Sequence, residues 1–519
     1  MVRRAWIDAL LIAGLLFVLA FFASRAAVSL PYGYDEADYV YAAGRGLRAN
    51  YLDAGSIPIG EFVRLGLGRG RDPAEKRSLS EFIRDRGDVL FYRHWHGPLY
   101  YYWLAAVAAH WKFDERAMHE WMLVFAAATI LLLYFGVRWA IAGKAGRTAA
   151  LLAAAVYASG YVNIRTGAMI GPHSLFVLLT LALTILLMRL MAAGAQAPAN
   201  AAIGETAAGQ SGTGLLACRS LFPQSAGLRC WYAALVLTGL AAATLEVAFV
   251  AAGTLVVVAW LERRRTFAGF GAREWLRFGV RSAAVIVTVL LLVWPAALLR
   301  LSVVKAYAFM VYLSIFRKAP WGGLSFADSW RVLLARSAVE WILVAVAVAV
   351  CVRWKKIPRP ALPPLIFGAL MLASVLRVVS TEPRYAAMYL PQLVLFASVV
   401  LGVAFENARA GVRIATVAVI AALAIWNVNV HLRPVPAESI ERAWAPIHLI
   451  RARHLETAKL LVPSGMIPVL HLYFPRAVLR GYEEPREIAR AAGQFDGALT
   501  DGQQVEYTPL GGAGQAVAR

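Results

Sequence analysis

Apolar runs of bilayer length recur along most of this chain, separated by short polar breaks. They fall near residues 5–24, 117–137, 148–166, 172–190, 231–245, 247–261, 280–300, 332–352, 362–380, 386–405 and 411–430. Most reach the roughly 17–25 residues that carry an α-helix across a hydrocarbon core. The pattern therefore predicts an all-α polytopic membrane protein with about eleven spans. The pair 231–245 and 247–261 is short, with Glu246 between its halves, and also fits a re-entrant hairpin. The first run follows Arg3 and Arg4. It is longer than a signal-peptide core and lacks a small-x-small cleavage site at Ser24–Arg25, so it reads as a retained helix.

Between the runs the polar segments differ in kind. Residues 31–116 form a long loop whose pieces Glu61–Leu67 and Leu79–Leu90 mix apolar and charged residues at helical spacing. Within it, "GPLYYYWLAAVAAHW" (97–111) is too short to span and rich in Tyr and Trp, as expected of a helix lying in the headgroup boundary. Residues 192–229 are Ala-, Gly-, Gln- and Ser-rich and read as a flexible linker. Gly209, Gly212 and Gly214 there lack the strand and the Lys-Ser/Thr of a phosphate loop. After residue 430 the chain turns polar and proline-rich, which divides it into a membrane domain, 1–430, and a small outward domain or lid, 431–519. In that tail "IPVLHLYF" (467–474) is expected to be a strand. No repeat relates the two halves, which disfavours the inverted-repeat transporters.

Composition agrees with the pattern and charge orients it. Of 519 residues, 60% are hydrophobic and 16% charged, against roughly 25% charged in soluble domains. The net charge of +21 would suit a nucleic-acid binder were it spread otherwise. The loops assigned inward hold twenty basic residues, from Arg3 to Arg413, against Glu205, Glu262, Glu274 and Glu406, an excess of sixteen. Residues 31–97 hold ten acidic and ten basic residues and balance. This is the positive-inside asymmetry, with the N-terminus inside and the C-terminus outside. The three cysteines, Cys218, Cys230 and Cys351, fall in an inward loop and a helix, so no disulfide framework is expected.

On this topology the ionisable residues at membrane depth gather at the outward helix ends. "PYGYDEADYVY" (31–41) brings Asp35, Glu36 and Asp38 after the first span; His94 and His96 precede the interfacial helix. Arg165 and His173 flank the turn between the third and fourth spans, Glu246 lies between the fifth and sixth, and Arg384 with Tyr385 precedes the tenth. Buried charge at membrane depth points to function by default. A carboxylate can deprotonate an acceptor, while Arg and His hold a phosphate and the charge that grows on it as it leaves. Blander roles compete: a hydrated helix end for Asp35 and Glu36, local neutralisation of an Arg by Asp38, a helix cap for Glu246, a snorkelling anchor for Arg384. His94-x-His96 is a weak metal signal, and hydrogen bonding or phosphate contact suits it better.

"YDEADY" after the first span and "HWHGPLYYYWLA" at the interfacial helix resemble two motifs of the GT-C glycosyltransferase superfamily. The nearest branch is the polyprenyl-phosphate-sugar-dependent one, with the protein O-mannosyltransferases and the lipid A aminoarabinose transferase. "TEPRYAAMYLPQL" (381–393) resembles its Arg-Tyr segment, and "GRTAALLAAAVYASGYVNIRTG" (146–167) its third span. The resemblance runs through residues 1–430. It implies Asp35 as catalytic base, Glu36 in support, His96 at the family's His or Lys position and Arg384 near the donor phosphate. Two positions depart. Pro172 and His173 stand where the family often has an acid, which weakens the case for a carboxylate-bound metal. Glu246–Val247 stands where a lysine-glycine is common.

The expected function is transfer of a sugar from a polyprenyl-phosphate carrier to a lipid, glycan or protein acceptor at the outer face of the inner membrane. An inverting single displacement is expected, and no nucleotide sugar or nucleic acid. No cofactor is demanded, and a divalent metal stays an open alternative. The rivals are a transporter or flippase for a lipid-linked glycan and a non-catalytic scaffold of envelope assembly. A transporter would keep its acidic groups near the midplane, whereas here they collect at one face.

Overall fold

A computed structural model describes residues 2–26, 30–44, 96–111, 114–193, 226–299, 307, 311, 325–376, 382–482, 485–491, 493–501 and 505–510. The amphipathic pieces at 61–67 and 79–90, the linker glycines and His94 lie outside these residues. Helix covers the greater part of every stretch expected to span. Among the described residues five helices are long and apolar enough to cross a membrane: Trp6–Ala26, Glu115–Ala140, His173–Ala192, Ala272–Val293 and Ala410–His431. The remaining stretches form shorter or broken helices, and the chain is a multi-pass membrane protein.

The chain begins with α1 (Val2–Ala26), which runs into the short α2 (Tyr34–Ala43). Gly33 precedes α2 in extended conformation, and its N–H donates to Glu36 Oε2 at 2.9 Å, the reach-back of a capping box. Next come α3 (Leu99–Trp111) and α4 (Glu115–Leu131), the latter capped by Asp114, whose carboxylate accepts from the Ala117 N–H at 2.7 Å. The third expected span is broken. It forms α5 (Gly143–Ser159) and α6 (Tyr161–Ala168), parted at Gly160, where a Cβ would lie 2.7 Å from Glu340 Oε1. Here only glycine lets a buried carboxylate approach the backbone so closely.

The bundle continues through α7 (His173–Ala193), α8 (Ala226–Ala242), α9 (Phe249–Glu262) and α10 (Ala272–Val293). Helices α11 (Phe326–Arg336) and α12 (Ala338–Trp354) meet at Ser337 with a bend of 86°. Then come α13 (Leu362–Val375), α14 (Pro383–Ala387), α15 (Leu390–Ala404) and α16 (Ala410–His431). Proline opens α14 and recurs in the first turn of α15, where its missing N–H leaves no intrahelical bond unmade. Buried aliphatic residues of α4–α9, α12, α13 and α15 make one large core. Leu276, Val280 and Leu292 of α10 and Ile342 and Val352 of α12 instead face outward, as lipid-facing positions do.

The tail folds as a small C-terminal domain. It contains α17 (Ala437–Ala452), β1 (Lys459–Pro463), α18 (Ile467–Tyr473), β2 (Val478–Tyr482), α19 (Pro485–Ala491), β3 (Gly497–Asp501) and β4 (Val505–Pro509). The sheet order is β2-β1-β3-β4, with β1 parallel to both neighbours and β4 antiparallel to β3. Residues 467–473 are helix, not the expected strand. Parallel β1 and β2 require a crossover, and a helix supplies it. Ile467 and Leu470 face the sheet, whereas Val469, Leu472 and Tyr473 also pack on a second core with Tyr39, Val40, Tyr100, Tyr101 and Met122 of α2–α4. The C-terminal domain thus braces the helix that carries the three acids.

Candidate active site

Helical geometry separates Asp35, Glu36 and Asp38. Successive residues turn by about 100°, so the three side chains on α2 meet different partners. Glu36 faces the bundle. Its Oε1 lies 3.2 Å from His119 Nε2 and accepts from the Ile170 N–H at 3.1 Å. Burial alone would raise this carboxyl, but His119 and the amides of Gly33 and Ile170 outweigh it and hold it below the ordinary 4.5. Asp38 is buried near Tyr101, whose phenol is raised well above its usual range by burial and then by Asp38.

Asp35, the most exposed of the three, makes an ion pair with the Arg384 guanidinium of α14. Arg384 also lies against Glu382, with Nε 2.5 Å from the carboxylate, inside ion-pairing range but outside the angle of a hydrogen bond. Burial opposes its charge, and Tyr39, Asp35, Tyr385 and Glu382 together more than restore it, so it stays cationic. The guanidinium lies 5.3 Å from the Tyr385 ring centre, within cation–π range. The buried His173 stands beside Tyr385, ring centre to ring centre 6.4 Å. Thr166, Gly171, His173 and Arg384 border a void of about 10 Å³, which is room for one water.

His96 reaches the same site from another direction. Its Nδ1–H donates to Glu246 Oε2 at 2.7 Å, and its Nε2 lies 3.3 Å from the Tyr39 hydroxyl. Burial opposes charging this imidazole, yet Glu246 outweighs it, with help from Asp35, and raises it above the ordinary 6.5. The contact depends on Gly97: a Cβ there would fall 2.2 Å from the Ala243 carbonyl, and the Leu99 N–H donates to that same carbonyl at 3.0 Å. The loop before α3 is thereby seated on the end of α8, three residues ahead of Glu246.

The structure thus brings together Asp35, Arg384, Tyr385 and His173, with His96 and Glu246 joined to them through Tyr39. Arg165 is half-buried in α6 and makes no ion pair among the described residues. Tyr39, His119 and Glu382 escaped sequence reading. Tyr39 is one aromatic among several in its segment, His119 sits in an apolar run, and Glu382 abuts Arg384 where its charge looks cancelled. His119 alone carried a signal, as an ionisable group inside a span. Among the described residues no three His, Cys, Asp or Glu side chains gather as metal ligands would.

The helical bundle, with its short helices after the first span and its small mixed-sheet C-terminal domain, shares the GT-C fold with solved membrane proteins. The chain is similar in structure to ArnT from Cupriavidus metallidurans in the apo state, with TM-score 0.56 and 13% identity over 95% of this chain and 89% of that one. The same protein bound to undecaprenyl phosphate matches with TM-score 0.56 and 12% identity over 94% and 88%. The archaeal oligosaccharyltransferase AglB from Archaeoglobus fulgidus stands further off, at TM-score 0.47, 11% identity, 90% of this chain and 64% of its own. No family model and no curated protein matches the sequence.

Proposed function

We propose that this protein is a membrane glycosyltransferase that takes a sugar from a polyprenyl-phosphate carrier. The Asp35–Arg384 pair carries the reading, since a carboxylate and a guanidinium from distant parts of the chain meet beside His96 and His173. The fold it shares with ArnT, solved with undecaprenyl phosphate, supports a lipid-phosphate donor. The acceptor, a hydroxyl or amine of a lipid, glycan or protein, attacks the anomeric carbon while the bond from that carbon to the phosphate oxygen breaks. The acceptor proton passes to Asp35, and the leaving electron pair stays on the lipid phosphate. One displacement inverts the anomeric centre. In the resting site Arg384 is already occupied by Asp35. The donor phosphate takes over the guanidinium and leaves Asp35 free to act as base, so donor binding and activation of the base are one event.

Glu36, tied to His119 and two backbone amides, holds α2 in place. His96, His173 and Tyr385 line the path of the phosphate, and Asp38, Arg165 and Glu246 shape its surroundings. Residues 1–430 form the catalytic domain and 431–519 the C-terminal domain, on the outer side of the inner membrane. The test is transfer from a synthetic polyprenyl-phosphate sugar by purified protein in detergent. Asp35→Asn should fold and bind donor while turnover falls by roughly 10²–10⁴-fold, the usual contribution of general acid–base catalysis. Near-normal turnover would remove Asp35 as the base.

A further inference from the structure

At the end of the bundle away from Asp35 lies a groove of about 1240 Å³ between α1, α5 and α16. Asp8 of α1 lines its basic mouth and is about 27 Å from Ala26 along the helix at 1.5 Å per residue, so that mouth and the candidate active site occupy opposite ends. Its walls are apolar over Leu11, Leu15, Val18, Leu151, Val417 and Ile425. Its mouth carries Arg138, Lys144, Arg147 and Arg413, opposed by Asp8. Asp8 accepts from Arg138 at 2.7 Å and from Arg147 at 3.0 Å, which fixes both guanidiniums while leaving further N–H groups to each. Arg413 donates to the Glu406 backbone carbonyl at 3.3 Å. Helices α1 and α16 meet at their other ends, where Arg25 donates to Asn429 Oδ1 at 3.1 Å. Both rest on α5, and between them the groove stays open. Cations at headgroup depth over an apolar trough is the charge order of an anionic lipid.

We infer that this groove seats one anionic diacyl phospholipid of the leaflet facing the basic loops, its phosphate at Lys144 and Arg413 and its chains between α1 and α16. The volume lies above the roughly 300–1,000 Å³ of small-molecule sites, which suits two acyl chains rather than a free phosphate. The lining segments, such as residues 7–18 of α1, run roughly 15–25 Å at the helical rise, the depth of about one leaflet of a 30 Å hydrocarbon core. The site is separate from the donor phosphate site, and its test does not involve sugar transfer.

Native mass spectrometry of the full, delipidated chain, titrated with dioleoyl phosphatidylglycerol or dioleoyl phosphatidylcholine, tests the inference. Phosphatidylglycerol should be retained over phosphatidylcholine. The double variant Lys144→Ala/Arg413→Ala should lose phosphatidylglycerol affinity about 30-fold, at about 1 kcal/mol for each basic residue near anionic lipid. Gly14 lines the groove with nothing within 4 Å of a Cβ placed on it. Gly14→Leu should therefore fold, since leucine suits a helix better than glycine, and should block the lipid with every charge intact. Equal retention of the two phospholipids, or a Gly14→Leu protein that binds phosphatidylglycerol like the parent, would each overturn the inference.

Discussion

Arg384 answers to two carboxylates at once, and a lysine cannot. A guanidinium presents a rigid fork of donors, so it can face Asp35 with one nitrogen and Glu382 with another. An ammonium has the same charge and can snorkel as well, but it cannot keep that geometry. Arg384→Lys should therefore insert and fold normally yet lose about 5- to 150-fold in turnover, the 1–3 kcal/mol of charge-assisted hydrogen bonding. Equal turnover of the two purified proteins would reduce Arg384 to a membrane anchor. His96 makes a second claim. Its folded value is raised by Glu246, so the stability from this pair is complete below about 6.5 and disappears as pH climbs through the raised value. The melting-temperature gap between the parent and Glu246→Gln should thus narrow as pH rises from below about 6.5 through the raised value. A gap that stays constant would mean that the pair is not ionic.

Single elements aim these side chains, and α3 does so through a glycine. Gly97 lies flush against the Ala243 carbonyl, and any Cβ there must push the loop off α8. Gly97→Ala should cost about 1–3 kcal/mol, as overpacking does, and turnover should fall more than stability because His96 leaves Glu246 with the displaced loop. Thermal melts alongside transfer rates separate the two effects. Unchanged values of both would show that the approach is not tight. Breaks of another kind were hidden in the apolar pattern. Hydropathy sees the segment 148–166 as one run, whereas the structure divides it at Gly160, against which Glu340 of α12 packs closely. The same holds for 467–473, where five apolar or aromatic residues fit either period. Only the need for a crossover between parallel β1 and β2, and the presence of α2 on its other side, makes it helix. Sequence read well what local spacing decides, such as the position of α1, α7 and α16. It could not read what a distant carboxylate or strand decides.

At the scale of the whole molecule the charge asymmetry implies orientation. Residues 192–229 should lie inside and 31–116 outside. With the native cysteines replaced, a cysteine at position 78 should be labelled by an impermeant reagent from the outer side and one at position 211 spared. The reverse pattern would turn the protein over and with it the direction of transfer. The candidate site residues could be picked out as a set, because they fall at the outward ends of the expected spans, and their pairing could not, because it is made by folding. Arg384 meets Asp35 only once α14 and α2 are side by side. The brace between the C-terminal domain and α2 carries a consequence for biosynthesis. The Tyr32 N–H donates to the Tyr473 hydroxyl across 441 residues of chain, and that hydroxyl donates in turn to Glu115 at 2.7 Å. At the roughly 5–20 residues per second of translation, Tyr32 waits about 20–90 s for its partner. Helix α2 therefore gains this part of its support only after the last domain has emerged, and a chain whose synthesis stops early lacks it.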